Sequence, residues 1–414
     1  MRPRFGEKSW PSRMMFPLVL LAGFCAVCHG KPWVRAREDP EINMNVSQMI
    51  QYHGYPVENY DVTTKDGYII SIQRIPFGQN GKCKDFPNKP VIFVQHGLLC
   101  SSTNWVANLP NESLAFILAD NCFDVWLGNV RGNTYGMRHV NVSIHSDAFW
   151  DFSWDEFSKY DLTAMIDKAL KVSNVPSLYY AGHSQGTMMM FAESSCNKDL
   201  ASKIKAHFAL GPVTTIGHIE SPIKYLANFV PEVEDLFKIF GIHDFLPNNE
   251  IMRILAVLFC EPLGIRDVCS DVIFILDGFD QSQLNMTRLP VYISHTPAGT
   301  SVKNMIHYAQ MYKSKKFEMY DYGKDNMKRY GQNTPPQYNI SAITVPTMLY
   351  WGGNDWLADP DDVSLLMKAL PPKTLIDNKE LKAWQHLDFI WGLDAAELVY
   401  DDIITRIKKM EGIY

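Results

Sequence analysis

The spacing of apolar residues changes along the chain, and each spacing predicts a different element. Residues 60–64 and 68–75 alternate apolar and polar side chains around Asp66 and Gly67, a pattern that predicts a β-hairpin. Later runs are continuously apolar, as expected for strands that are buried on both faces of a sheet. These runs are residues 91–94, 123–127, 177–181 and 345–350.

A helical pattern occupies residues 154–171, where Phe157, Leu162, Met165 and Leu170 recur at the spacing of one helix face. Short buried strands that alternate with such helices are typical of the α/β class. The sequence therefore predicts a mostly parallel central sheet with helices on both faces.

This rhythm is lost between residues 216 and 339, which form a series of apolar helical candidates interrupted by prolines. We interpret this segment as a helical cap and lid inserted into a core that comprises residues 31–215 and 340–414. Apolar positions in the insertion, such as Ile251 and Leu255, fit either ordinary core packing or a face that contacts lipid.

The first thirty residues have the layout of a cleaved signal peptide. Basic residues between Arg2 and Arg13 precede an apolar stretch over residues 14–28, and small residues follow. The alternative is an uncleaved anchor, but this stretch is shorter than the roughly twenty residues that span a bilayer. We therefore predict a signal peptide at 1–30 and a mature chain without a transmembrane segment.

Composition narrows the possible functions. The chain has 414 residues, 46% of them hydrophobic, which is enough for a large core. Its net charge of -6 and its pI near 6.1 provide no basic surface for a nucleic-acid backbone. Nucleic acid is therefore excluded as a partner.

Secretion would expose the cysteines that follow the leader to an oxidising environment. The close pair Cys260 and Cys269 is the candidate disulfide, whereas two interpretations remain open for the other four cysteines, namely free thiols or a second bridge. These four are Cys83, Cys100, Cys122 and Cys196.

Five sequons are candidate glycosylation sites. They lie at Asn45, Asn111, Asn141, Asn285 and Asn339.

The motif GHSQG at residues 182–186 directly follows a predicted strand and precedes helix-compatible residues 188–194. This context is the one in which G-x-S-x-G presents a serine on a sharp turn between strand and helix. Gly182 and Gly186 are expected because side chains there would collide with the neighbouring chain. Ser184 is therefore the candidate nucleophile.

A serine hydroxyl needs a base to take its proton, and the base needs a carboxylate to orient it. In proteins with this turn the chain order is serine, acid, histidine. His386 is the only histidine after the last predicted sheet strand, since His295 and His307 fall in the insertion. It is therefore the candidate base.

The carboxylate should follow a late strand, and Asp355 stands right after residues 345–350 and two glycines that let the chain turn. Asp359, Asp361 and Asp362 are rivals, but their position beside Pro360 is typical of a helix N-terminus, where acidic groups interact favourably with the helix dipole.

An oxyanion intermediate needs two backbone N–H donors. Gln185 follows the nucleophile and supplies the first donor. Leu98, in the loop after residues 91–94, is predicted to supply the second. We interpret His96, which lies before the nucleophile strand, as a structural residue of that loop.

Together these motifs resemble the acid lipase family of gastric and lysosomal acid lipases. The resemblance extends from residue 43 nearly to the end of the chain. It rests on QHGLL at 95–99, LAD at 118–120, DVWLGN at 124–129, RGNT at 131–134, GHSQGT at 182–187, PAGTSV at 297–302, GNDWLAD at 353–359 and HLDFIWGLDA at 386–395.

The resemblance implies an α/β-hydrolase core with a helical cap and a lid, acting on triglycerides or cholesteryl esters at a lipid–water interface, with no metal and no cofactor. It implies the same roles for Ser184, Asp355 and His386, with oxyanion donors at Leu98 and Gln185, and a cap disulfide between Cys260 and Cys269. We expect a secreted or lysosomal protein. A carboxylesterase or thioesterase for small soluble substrates and a lipid carrier without activity are the alternatives.

Overall fold

The computed structural model describes residues 39–221, 224, 244–245 and 282–413. Its strands are β1 (Glu58–Thr63), β2 (Tyr68–Ile75), β3 (Val91–Gln95), β4 (Asp124–Leu127), β5 (Arg138–His139), β6 (Leu178–His183), β7 (Ile204–Leu210), β8 (Asp244–Phe245), β9 (Thr300–Ser301), β10 (Thr347–Gly352) and β11 (Leu375–Leu381). Its α-helices are α1 (Val46–Tyr52), α2 (Leu114–Asp120), α3 (Trp154–Glu156), α4 (Thr163–Ser173), α5 (Gln185–Cys196), α6 (Lys198–Ser202), α7 (Leu289–His295), α8 (Val302–Ser314), α9 (Asn326–Tyr330), α10 (Pro360–Ala369), α11 (Asp388–Trp391) and α12 (Asp401–Met410).

The main sheet has the strand order β1-β2-β4-β3-β6-β7-β10-β11, with β5 pairing to β2. Strands β4, β3, β6, β7, β10 and β11 are mutually parallel, whereas β1, β2 and β5 join through antiparallel pairs. The carboxyl ends of the parallel strands therefore meet at one edge, which is where ligands bind in open α/β sheets.

Helices cover both faces of this sheet, and the strand residues alternate between two hydrophobic cores. In β3, Ile92 and Val94 pack into the core that contains α1, α2 and α12. Val91 and Phe93 pack into the opposite core, beside α4 and α5. Because both faces are covered, every residue of β3 is buried, which explains the continuous apolar run in its sequence.

The predicted elements are largely confirmed. The hairpin forms with Tyr60 opposite Ile72, and the four apolar runs become β3, β4, β6 and β10. Residues 154–171 are helical, with a π-helical turn at Phe157–Leu162 between α3 and α4.

Of the strands longer than two residues, β7 and β11 were not predicted, and neither were the two-residue strands β5, β8 and β9. β11 lies at the edge of the sheet, where residues 376–378 are exposed to solvent, so its sequence carries no apolar run. β7 does contain apolar residues over 206–210, interrupted only by His207.

Strands β7 and β10 pair directly, so the chain between them leaves the sheet and returns. The described parts of this insertion include the helices α7, α8 and α9, while the stripe at Ile251 and Leu255 lies outside the described residues. The boundaries at 216 and 339 stay predictions, and the predicted signal peptide at 1–30 is also outside the described residues. Within the part of the chain that is described, no helix is both long and apolar enough to cross a bilayer.

One disulfide joins Cys83 to Cys122, with the Cα atoms 5.1 Å apart. This bond resolves part of the pairing that the sequence left open; Cys196 is an exposed thiol and Cys100 is buried. Cys260 and Cys269 lie outside the described residues, so their pairing stays a prediction.

The sequon asparagines differ in exposure: Asn285 is half-buried, and the other four, Asn45, Asn111, Asn141 and Asn339, are exposed.

Candidate active site

Ser184 stands between β6 and α5, on a turn that the flanking glycines make possible. Its backbone has φ 53° and ψ -121°, a strained combination for a residue with a side chain. A Cβ on Gly182 would lie 2.7 Å from the carbonyl carbon of Gly186, and one on Gly186 would lie 2.4 Å from the carbonyl oxygen of Gln95. Both glycines are therefore required by close contact, as the sequence predicted.

Asp355 and His386 form a buried pair at the ends of β10 and β11. The Nδ1 atom of His386 donates to Oδ2 of Asp355 over 2.8 Å, and the two residues are 3% and 1% exposed. Oδ1 of Asp355 accepts backbone hydrogen bonds from Leu357 and Ala358, at 2.9 and 2.8 Å. The carboxylate is thus fixed in position and holds the Nδ1–H tautomer of the imidazole.

The two glycines after β10 bring the loop of His386 close to the loop of Asp355. A Cβ on Gly352 would lie 2.4 Å from the carbonyl oxygen of Trp384, and one on Gly353 would lie 2.6 Å from that of Lys382. The sequence predicted that these glycines allow a turn. Their main role is close approach between backbones.

The His386 ring lies beside the turn that carries Ser184. Ser184 N donates to the carbonyl of Leu210 over 3.0 Å, and a Cβ on the next residue, Gly211, would lie 3.2 Å from the His386 ring. His183, the neighbour of Ser184, donates from Nε2 to the carbonyl oxygen of His386 over 2.9 Å, with the two ring centroids 4.8 Å apart. The structure therefore brings all three predicted residues to one place.

The loop after β3 lies against Ser184. A Cβ on Gly97 would lie 2.9 Å from Cβ of Ser184, so only glycine permits this approach by the segment that carries Leu98. His96 stabilises the loop by donating from Nδ1 to the Gly97 carbonyl over 2.8 Å, while Nε2 accepts from Asn133 over 3.2 Å. His96 is thus a structural residue of this loop, in agreement with the sequence-based interpretation.

Burial lowers the pKa of two histidines of the site. Burial lowers the pKa of His96 to about 4. Burial also lowers the pKa of His183 well below its usual range, and the positive charge of a protonated His386 lowers it further. The lowered pKa of His183 favours its neutral form, which still donates from Nε2 to the His386 carbonyl.

The rival residues have structural contacts elsewhere. The ring of His295 forms a hydrogen bond with the carbonyl of Glu41 at 2.8 Å, and that of His307 forms one with the carbonyl of Glu318 at 3.0 Å.

The acidic rivals of Asp355 lie at the start of α10. Asp359 caps the helix, Asp361 and Asp362 occupy its first turn, and Asp362 also bonds His218.

The Gln185 side chain makes contacts that the sequence did not suggest. Its Oε1 atom accepts from Asn304 Nδ2 at 3.0 Å and from the Tyr308 hydroxyl at 3.1 Å. Both partners lie on α8, more than a hundred residues away along the chain, and neither they nor His183 were predicted as parts of the site. Within the described ranges, no group of three or more His, Cys, Asp or Glu side chains could hold a metal ion.

Two family models match the chain. The model of the partial α/β-hydrolase lipase region covers residues 46–109, and that of the α/β-hydrolase fold covers residues 90–393. Human gastric triacylglycerol lipase is 49% identical over 373 residues, which are 89% of this chain and 92% of the relative. The chain belongs to the acid lipase family of α/β-hydrolases.

Other relatives in the acid lipase family match to a similar extent. Lipase lipl-1 of Caenorhabditis elegans is 49% identical and human lysosomal acid lipase/cholesteryl ester hydrolase is 45% identical, each over 90% of this chain and 93% of the relative. A candidate lipase structure from Sulfolobus solfataricus superposes with a TM-score of 0.57 over 86% of this chain and 94% of its own, at 14% identity, and so supports the fold alone. As a member of this family, the protein is a carboxylic ester hydrolase.

Proposed function

We propose that this protein hydrolyses lipid esters through an acyl-enzyme on Ser184, with His386 as general base and Asp355 as the acid that orients it. The observation that carries the proposal is the buried hydrogen bond between His386 and Asp355, beside the strained turn at Ser184. A serine on such a turn, next to an oriented imidazole, is the arrangement that activates a hydroxyl for acyl transfer.

In the first step, Oγ of Ser184 attacks the ester carbonyl while Nε2 of His386 takes the hydroxyl proton. The oxyanion is stabilised by the backbone N–H groups of Gln185 and Leu98. The intermediate then breaks its bond to the alcohol oxygen, and His386 returns the proton to that oxygen. The alcohol leaves, and the acyl group stays on Ser184.

In the second step, His386 takes a proton from water, and the resulting hydroxide attacks the acyl carbonyl. The second intermediate breaks the bond to Oγ, which regains its proton from His386, and the fatty acid is released. Each step requires only protein groups and water.

The substrate class follows from the relatives. Gastric triacylglycerol lipase and lysosomal acid lipase/cholesteryl ester hydrolase are named for lipid esters, and we extend that class to this chain. We further propose secretion or lysosomal delivery, with glycans on the sequon asparagines and a bridge between Cys260 and Cys269. The Cys83–Cys122 disulfide supports a protein that matures in an oxidising compartment.

The test compares initial rates of fatty acid release from emulsified trioleoylglycerol and cholesteryl oleate, between about pH 4 and about pH 8 to bracket histidine titration. Ser184→Ala is the matched inactive variant. Release by the wild type alone supports the proposal. If both proteins bind lipid and neither hydrolyses it, the carrier alternative replaces it, and equal rates on dispersed and monomeric esters favour a soluble esterase.

A further inference from the structure

We infer that Asn304 and Tyr308, on helix α8 of the insertion, are positioning residues that hold the oxyanion donor Gln185 in place. Both donate a hydrogen bond to the same acceptor, Oε1 of Gln185, over 3.0 and 3.1 Å. Gln185 and Asn304 are 1% and 0% exposed, so water competes little for these bonds. The inference rests on the proposed function, since it assigns a role within that reaction.

Helix α8 presents the two donors together because residues four positions apart lie on one helical face. Asn304 is itself held from three sides. Its Oδ1 accepts from Trp154 N at 2.8 Å, its Nδ2 also donates to the Thr300 hydroxyl at 3.0 Å, and its backbone N–H donates to the Ser301 hydroxyl at 3.0 Å. A side chain fixed in this way determines where the Gln185 carboxamide lies.

The position of Gln185 matters because it is the first residue of α5, directly after the strained Ser184. A helix N-terminus has no intrahelical acceptor for its first N–H groups, so the backbone amide of Gln185 is available for an oxyanion. Its direction depends on how residue 185 is held. Two bonds to the side chain add an anchor at the residue that carries the donor.

An oxyanion donor acts on the transition state more than on the bound substrate, and its value depends on its position to within fractions of an ångström. Loosening Gln185 should therefore lower kcat and leave KM nearly unchanged. A contact that served only to stabilise the fold would instead lower the melting temperature and leave the kcat of the folded fraction intact.

The experiment measures kcat and KM on p-nitrophenyl butyrate, a soluble ester, for the wild type and for Tyr308→Phe, which removes one hydroxyl. Tyr312→Phe is the matched control, since Tyr312 is one turn further along α8 and half-buried. We expect roughly a 3- to 10-fold fall in kcat for Tyr308→Phe, because a displaced donor loses part of the effect of a deleted one. KM should stay within about twofold, and Tyr312→Phe should match the wild type.

A second variant, Gln185→Leu, removes the acceptor and keeps the backbone N–H. In that background Tyr308→Phe should have no further effect on kcat, because the two changes break the same bond. Full additivity of the two effects, or equal kcat values for Tyr308→Phe and Tyr312→Phe, would overturn the inference while the wild-type activity upheld the proposed function. A wild type that releases no p-nitrophenol would overturn both.

Discussion

The burial of His207 provides a quantitative test of how this fold responds to acid. His207 lies in β7, 1% exposed, with the Tyr180 ring 5.3 Å away and the Phe191 ring 4.7 Å away. Its Nε2 atom has no hydrogen-bond partner among the described residues. Burial lowers the pKa of His207 to about 3, because the charged imidazolium would lose its hydration there.

The sign of the effect follows from proton binding. Between its ordinary pKa of about 6.5 and the folded value, His207 binds a proton in the unfolded chain but not in the folded protein. The free energy of unfolding must therefore fall as the pH falls from about 6.5. When the pH is lowered from about 7.5 to about 5, the titration of this one residue should lower the free energy of unfolding by about 2 kcal/mol.

The substitution His207→Phe removes the titration and keeps an aromatic ring between Tyr180 and Phe191. The packing cost of the new ring does not depend on pH, so it cancels when the mutational change at pH 5 is compared with that at pH 7.5. Burial raises the pKa values of Asp155 and Asp161 to about 6, so these carboxyl groups increase the free energy of unfolding as the pH falls. Their contribution is the same in the wild type and in the variant, so it also cancels in this comparison.

Guanidinium unfolding followed by tryptophan fluorescence at about pH 5 and about pH 7.5 measures the effect. Relative to the wild type, His207→Phe should be about 2 kcal/mol more favourable at the lower pH than at the higher one. The same substitution at the exposed His145 should leave the difference near zero. A difference below about 0.5 kcal/mol for His207→Phe would refute the claim that burial suppresses its titration.

Two further predictions concern the acid and the disulfide. Asp355→Asn should lower kcat by roughly four orders of magnitude, because an amide no longer holds the imidazole in the required tautomer. The control is Asp361→Asn at the exposed start of α10, whose kcat should stay within about twofold of the wild type. Similar losses for both variants would contradict the assignment of Asp355. Joint replacement of Cys83 and Cys122 by serine should lower the free energy of unfolding by about 2 to 4 kcal/mol, since the bridge closes a loop with a sequence separation of 39. Denaturant unfolding measures this, with Cys196→Ser as the control expected to match the wild type.

The sequence alone determined the fold class and the candidate triad. Continuous apolar runs predicted strands that are buried on both faces, because each of these strands contributes side chains to both hydrophobic cores. Ser184 was found through its local turn, and His386 through chain order, since no other histidine follows the last predicted strand. Both signals are local or depend on order along the chain, so no knowledge of distant contacts was needed.

The tertiary structure alone decided which distant groups meet. β11 was not predicted because its sequence has no apolar pattern. It is held in the sheet by backbone hydrogen bonds to β10, and much of its surface is exposed to solvent. The partner of Cys83 depends on which Cα lies within bonding distance after folding, which residue spacing does not encode. The contacts of Gln185 with Asn304 and Tyr308 are of the same kind. Nothing in the sequence around Asn304 and Tyr308 marks them, and they come within hydrogen-bond range of Gln185 only when the chain folds.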